Sequence, residues 1–327
     1  MAAHSLRSGV HSFSIAPGLF VRKSTPEQSI NDQNLLGQFI PLQYHYNMLQ
    51  DEDRVGAFRS AIESSVRCGM HVVELGGGTG ILSSFAARMG ANVTCVERNP
   101  ELVQCARRLV RENGLQDQIE VVQADATQYI PDIPVDVVVC EMLHVALLRE
   151  KQTEVIDAFK QNYVRSFGST LPKFLPEASI LMCQPVEQSF DFAGYHAPVP
   201  LFQAPLVEQP RTQELSALSP YATFAYDERI PQHFRSDEPV VINQAGTLNA
   251  VRFVTQNVIT VDLAKQNAVT WPNQCLVLPI ETPTHVDCGQ TIDITFSYAA
   301  GGSIQQLADS LCVQHGSSHA QRQASPA

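Results

Sequence analysis

The 327-residue sequence has one tryptophan, Trp271, and eight cysteines with no C-x-x-C pair among them. The cysteines therefore read as reduced core residues of a cytoplasmic protein rather than as a disulfide framework. Charged residues, at an ordinary 17%, lean acidic and are short of the basic sign, with 22 Lys and Arg against 33 Asp and Glu for a net −11. No Lys/Arg-rich block occurs, which excludes an electrostatic footprint for nucleic acid. No run of 18 apolar residues occurs either, and the N-terminus lacks a charged-then-apolar signature. Membrane insertion and secretion are not expected. What is present suits a soluble globular chain of about two domains.

The most informative stretch is Val72–Gly80, VVELGGGTG. An apolar run ends in an acid and then a glycine-rich loop, the pattern of a parallel strand turning into a helix. Such a turn lets a ligand approach backbone N–H groups. Gly76, Gly78 and Gly80 give G-x-G-x-G, not the G-x-G-x-x-G of a dinucleotide site, which disfavours a nicotinamide oxidoreductase. A purely structural turn is the competing reading at this stage.

Residues 1–30 have no periodicity and are expected to form a mobile arm. A helical face runs from Tyr44 to Cys68. A βαβ series follows, with strands at Val72–Leu75, Val93–Val96, Ile119–Val122 and Val135–Cys140. Helices are predicted over Ile81–Met89, from Asn99-Pro100 to Asn113-Gly114, and over about Leu147–Val164. Residues 31–168 thus form a Rossmann-like parallel sheet domain with ligands at the carboxyl edge. Prolines and short β-type runs then take over. Residues 169–300 are expected to be a mostly antiparallel β-barrel or sandwich, with 197–220 an insertion or arm and 301–327 a disordered tail.

Three acids stand where strands end. Glu97 follows the second strand, in the position of a carboxylate accepting both hydroxyls of a ribose. Asp125 follows the third and could take an adenine amino group. Glu141 ends the fourth, and Glu150 follows it by nine residues across the apolar MLHVALLR. Two carboxylates bracketing an apolar loop are costly to hold together unless a cation satisfies them, and a planar guanidinium suits them.

These residues together resemble the protein arginine methyltransferases, S-adenosyl-L-methionine enzymes with a Rossmann-like domain and a β-barrel, over about Gln43 to Tyr298. This chain would be a divergent, bacterial-type member. The resemblance implies that His45, in the helix HYNMLQDEDR, lies beside the cofactor, that Met48 lines the active site and that Arg54 pairs with the methionyl carboxylate. ELGGGTGIL (Glu74–Leu82) is similar to the family's glycine loop, so Glu74, Gly76, Gly78 and Gly80 are cofactor-binding candidates, with Glu97 on the ribose and Asp125 on the adenine. EMLHVALLRE resembles the family's double-glutamate loop, and Trp271 falls on its Thr-His-Trp loop.

Departures are equally readable. Leu35 and Phe39 stand at the family's N-terminal tyrosines, Met142 and Val145 at its loop aromatics, and Thr270 at its histidine, leaving Asp51 without that partner. The resemblance implies methyl transfer to a guanidino group, in a protein or in free arginine, by Glu141, Glu150, Met48 and Trp271, with S-adenosyl-L-methionine as cofactor and a homodimer through the arm. A catalytically silent cofactor- or partner-binding protein, and a methyltransferase for another small molecule, are the alternatives.

Overall fold

The computed structural model describes residues 42–205 and 207–315, all within one compact unit. The expected N-terminal arm, Leu35 and Phe39 lie outside the described residues. The single helix predicted from Tyr44 to Cys68 is instead two, α1 (Leu42–Gln50) and α2 (Glu52–Ser65). Asp51 separates them: it leaves the helical region at φ −72°, ψ 87°, and its carboxylate accepts from Arg54 N at 2.9 Å. An N-cap is thus the work found for the acid without a histidine partner, and Glu52 and Asp53 add favourable charge in the first turn.

Next come β1 (His71–Leu75), α3 (Ile81–Arg88), β2 (Asn92–Glu97), α4 (Pro100–Glu112), β3 (Ile119–Gln123), β4 (Val137–Cys140), α5 (Gln152–Phe167) and β5 (Lys173–Leu175). The five strands pair in the order β3-β2-β1-β4-β5, all parallel. Every residue of β4 is buried, as a sheet covered on both faces requires. Asn99 caps α4 through its side chain and Pro100 opens it. Two details differ from expectation. β5 is a fifth strand, and the helix expected from Leu147 starts at Gln152 because Val145–Leu147 is a short 3-10 turn containing a left-handed Ala146.

Everything after β5 is antiparallel. The strands are β6 (Ala178–Gln188), β7 (Asp191–Phe192), β8 (Tyr195–His196), β9 (Leu201–Gln203), β10 (Thr212–Glu214), β11 (Ser219–Ala225), β12 (His233–Ser236), β13 (Pro239–Val241), β14 (Gly246–Asp262), β15 (Asn267–Pro272), β16 (Cys275–Val286) and β17 (Thr291–Ala299), followed by α6 (Ile304–Ser310) and β18 (Cys312–His315). One sheet runs β10-β6-β14-β16-β9, with β11 on β6 and β15 on β14; a second runs β12-β17-β13, with β18 on β17. Among the described residues these ladders do not close into a barrel. The two sheets meet through aromatic rings, Tyr221, Phe224 and Phe253 of the first against Phe234, Phe296 and Tyr298 of the second. These edge-on and stacked contacts, with one hydroxyl pair between Tyr221 and Tyr298 at 2.7 Å, close the core.

Two expectations need correction. The tail after 300 is not featureless, since α6, capped by Ser303, buries Leu307 completely and β18 adds a strand to β17. A single buried leucine and one ladder suffice to order a segment whose polar composition reads as disorder. The segment 197–220 is not wholly a free arm, because β9 pairs with β16 and β10 with β6. One of the antiparallel strands, β14, is 17 residues long, with register shifts against its partners. All eight cysteines are free, and Cys95, Cys140, Cys183 and Cys275 are buried. No helix among the described residues is long and apolar enough to cross a membrane.

Candidate active site

Strand order reverses at β1, between β2 on one side and β4 on the other, and open α/β sheets bind ligands at such a point. The register brings the three strand ends level, with Leu75 paired to both Val96 and Cys140. The next residues along the three chains are Gly76, Glu97 and Glu141, so one cleft receives a glycine loop and two acids.

The glycine loop is held from below. The N–H groups of Gly76 and Gly77 donate to Val96 O at 2.9 and 3.0 Å. Gly76, Gly78 and Gly80 have φ of 75°, 55° and 80°, a region that costs other residues about 1–2 kcal/mol each. Gly78 also meets a neighbour: a Cβ there would lie 2.9 Å from the His45 ring. Glu74 lies against the loop at Gly77, its carboxylate accepting from Ser83 N at 2.8 Å and from the Ser83 hydroxyl at the start of α3. Burial pushes the Glu74 carboxyl up to about 7, against those hydrogen bonds. Glu97 accepts from Gly78 N at 2.9 Å through one oxygen and from Asn99 N at 2.7 Å through the other.

Opposite the loop, Arg54 reaches into the sheet. Its Nε and Nη2 lie 2.7 and 2.5 Å from the same Glu141 oxygen, Oε2, and its Nη1 donates to Met48 O at 2.8 Å. Glu141 Oε1 accepts only a long 3.4 Å contact from Leu143 N. Burial raises the Glu141 carboxyl in spite of Arg54. The Glu150 carboxylate accepts no hydrogen bond from any described residue. Burial, and next the charge of Glu141, push it up to about 8.

The loop joining Glu141 to Glu150 is the most strained stretch of the site. Ala146, Leu147 and Arg149 have φ of 56°, 52° and 64° without being glycine. Gln152 braces its start, accepting from Met142 N at 2.8 Å and donating to Cys140 O at 2.7 Å. The antiparallel domain holds the rest. Asn273 Nδ2 donates to Leu143 O at 3.1 Å, Thr255 Oγ1 accepts from Ala146 N at 2.7 Å, and Gly302 O and Gly301 N bond Arg149 N and Leu147 O at 2.8 Å each. None of these braces was foreseen from sequence; Asn273, two places after the lone tryptophan, was the nearest signal.

One cleft thus gathers His45, Met48, Arg54, Glu74, Gly76, Gly78 and Glu141. Gly80, the N-terminal residue before α3, faces Ala106 and Val110 of α4 and lines a neighbouring groove instead. Asp125 stands apart, one oxygen accepting from Thr127 N and Oγ1 and the other 4.0 Å from Arg98. Trp271 does not line the cleft; it is buried edge-on against Phe58, with centroids 6.4 Å apart. Thr270 is exposed on β15.

A nucleoside cofactor fits the donor set. His45 is buried over Gly78 with its Nε2 unpartnered, a polar atom in want of a ligand. Glu97 has used two of its four or so acceptor positions, and Arg54 keeps two of its five N–H groups. Space is the constraint: with α1 lying on the loop the cleft holds only ≈ 30 Å³, against roughly 300–1,000 Å³ for ordinary ligand pockets. In this arrangement of α1 the cleft is smaller than a nucleoside.

Known proteins agree with this layout. A family model described as a methyltransferase domain matches residues 72–162. Over 272 residues the chain is 29% identical to an uncharacterized protein of Methanothermobacter thermautotrophicus, covering 82% of this chain and 97% of that one. It is 32% identical over 145 residues to protein arginine N-methyltransferase 2 of Xenopus tropicalis (43% of this chain, 33% of that one). It is 33% identical over 135 residues to the arginine N(omega)-methyltransferase of Streptomyces achromogenes (39% and 37%). The chain therefore spans about a third of the length of each of these two named relatives. In structure it is similar to protein arginine methyltransferase 10 of Arabidopsis thaliana, with a TM-score of 0.66 at 16% identity, covering 78% of this chain and 87% of that one.

Fold and domain match define a class I, S-adenosylmethionine-dependent methyltransferase. Within that class the chain is similar, in sequence and in architecture, to the protein arginine methyltransferases.

Proposed function

We propose that this methyltransferase acts on a guanidino group, that of arginine in a protein or of a small guanidino compound. The observation that carries the reading is Glu141, a buried carboxylate already taking guanidinium N–H groups from Arg54, with the unbonded Glu150 beside it. Among the residues lining the cleft, Glu74 and Glu141 stand against one arginine, Arg54, which Glu141 already engages, so the cleft has a place for further positive charge. A guanidinium supplies it and cannot lose its proton in the site. The names of the Xenopus and Streptomyces relatives, which specify arginine, support the same substrate class.

The cofactor, when bound, supplies an electrophilic methyl group on a sulfonium. Glu97, His45 and the loop of Gly76, Gly78 and Gly80 would hold its nucleoside, and the two free N–H groups of Arg54 its carboxylate. Arg54 keeps Glu141 Oε2 occupied and so aims Oε1 at a substrate N–H. Glu141 and Glu150 together orient the guanidinium for in-line attack, and most of the rate can come from that positioning. They draw positive charge toward the bonded nitrogens and leave the attacking one more nucleophilic. Once methylated, the product nitrogen would have a proton to shed, and Glu150 would accept it.

The test is incubation with methyl-labelled S-adenosylmethionine, free arginine and an arginine-rich peptide in parallel. Label in either acceptor is expected, and Glu150→Gln should lower turnover by about a hundredfold or more while calorimetry shows cofactor still bound. Label in neither acceptor overturns the reading. A second reading, a silent cofactor- or partner-binding member, has one observation in its favour, the ≈ 30 Å³ cleft under α1. A calorimetric titration with S-adenosylmethionine that releases no heat would favour its partner-binding form.

For assembly we propose a homodimer. Phe192, Tyr195 and Val199 are exposed on the segment around β7 and β8, at 42%, 73% and 51%. A groove of ≈ 560 Å³ between α2, α3 and α4, lined by Phe85, Met89, Leu109 and Leu115, offers an apolar seat to a second copy. Light scattering should give twice the 36.0 kDa chain mass, and Tyr195→Glu should return it to one; a monomeric wild type would remove the proposal.

A further inference from the structure

We propose that Thr255 and Asn273, two side chains of the antiparallel domain, are positioning residues that set where Glu150 stands relative to Glu141. The proposal rests on the reading of those carboxylates as guanidinium ligands. Three residues of the intervening loop, Ala146, Leu147 and Arg149, hold a left-handed backbone that only outside contacts can maintain. Thr255 is fully buried in β14, and its hydroxyl accepts the N–H of Ala146 at 2.7 Å, the first of the strained residues. Asn273 grips the loop three residues earlier, donating to Leu143 O at 3.1 Å, while its own N–H is tied to Thr255 O at 3.2 Å.

Asn273 is itself kept from turning. Its Oδ1 accepts from Asn257 Nδ2 at 2.7 Å, Asn257 Oδ1 accepts from Ser179 Oγ at 3.0 Å, and Ser179 Oγ lies 2.9 Å from the Tyr226 hydroxyl. All of these groups but Tyr226 are in the first antiparallel sheet or at its edge, and all are buried. A buried polar chain of this kind is costly unless every member is satisfied, and a satisfied one fixes a single geometry. It ends on the loop that carries both carboxylates. The antiparallel domain then contributes shape to the reaction rather than a reacting group.

The groups facing Glu150 are Glu141, Arg54 and Arg149, and its carboxyl is held high by burial first and Glu141 next. A loop released from Thr255 would hydrate that carboxyl and lower it. The experiment measures cofactor affinity, kcat, and the pH dependence of kcat/KM for the guanidino acceptor, in the full chain. For the wild type, kcat/KM should rise with pH along a limb above the ordinary carboxylate range and no higher than about 8. Thr255→Val should keep cofactor affinity within about twofold, lower kcat by about tenfold or more, and move the limb down by roughly one pH unit. Thr255→Ser, which keeps the hydroxyl, should restore both.

Unchanged kcat and limb in Thr255→Val overturn the proposal. So does a Thr255→Ser variant as impaired as the valine, with cofactor affinity falling in parallel, since packing alone would then account for the loss. If Thr255→Val does not fold, Asn273→Asp carries the test, because it keeps the side-chain shape and sets a carboxylate against Leu143 O. The same loss and limb shift are expected there, and wild-type kinetics overturn the proposal. A wild type that methylates no guanidino compound removes the functional reading and this proposal with it; normal kinetics of the variants of an active wild type remove this proposal alone.

Discussion

The two loops at the heart of the site follow neighbouring strands and solve the same problem differently. After β1, the chain turns through left-handed backbone at Gly76, Gly78 and Gly80, where the missing Cβ makes that conformation cheap. After β4, it turns through left-handed backbone at Ala146, Leu147 and Arg149, where each residue resists. The first loop needs only its own sheet, through Val96 O and Glu97. The second needs a different domain, through Thr255, Asn273 and the Gly301–Gly302 turn. A loop that must leave its backbone N–H groups and the space above them open is made of glycine. A loop that must hold apolar side chains and two acids in fixed places cannot be, and its strain is offset by contacts from outside.

Substitutions at single positions can break this contrast. The largest effect is expected at Gly78→Ala, which forces a side chain onto φ 55° and into the His45 ring. Cofactor affinity should fall by about tenfold to a hundredfold, the equivalent of about 1–3 kcal/mol, in a calorimetric titration. An unaltered dissociation constant would mean that the glycine loop is a structural turn after all. A smaller effect of opposite sign is expected at Ala146→Gly. Relief of φ 56° should outweigh the extra freedom of the unfolded chain and raise the unfolding free energy by up to about 1 kcal/mol. Urea denaturation measures it, and a loss of stability would show that Ala146 is not strained where Thr255 holds it.

Legibility in the sequence followed distance along the chain. The parallel sheet, its glycine loop and the acids at the strand ends were readable because each depends on a few adjacent residues and on a period of two or 3.6. Asn99-Pro100 announced α4 for the same reason. The break at Asp51 was not readable, since a periodic apolar face runs through it and only the capping bond to Arg54 N ends one helix and starts another. Residues 301–315 of the tail were misread because their composition is polar while their order comes from Leu307 and a pairing with β17.

By itself, the sequence determined the class of chemistry: a glycine turn after a buried strand, and carboxylates at the ends of its neighbours, are local consequences of residue type and spacing. Only the tertiary structure decided how those groups are spent. Asp125 is turned to Thr127 and Trp271 is packed on Phe58. Arg54 is seated on Glu141, 87 residues away, and the glutamate loop is held by Thr255 and Asn273 from 109 and 130 residues away. Such contacts have no sequence signature, because a hydrogen bond depends on where two groups meet in space and not on how much chain lies between them.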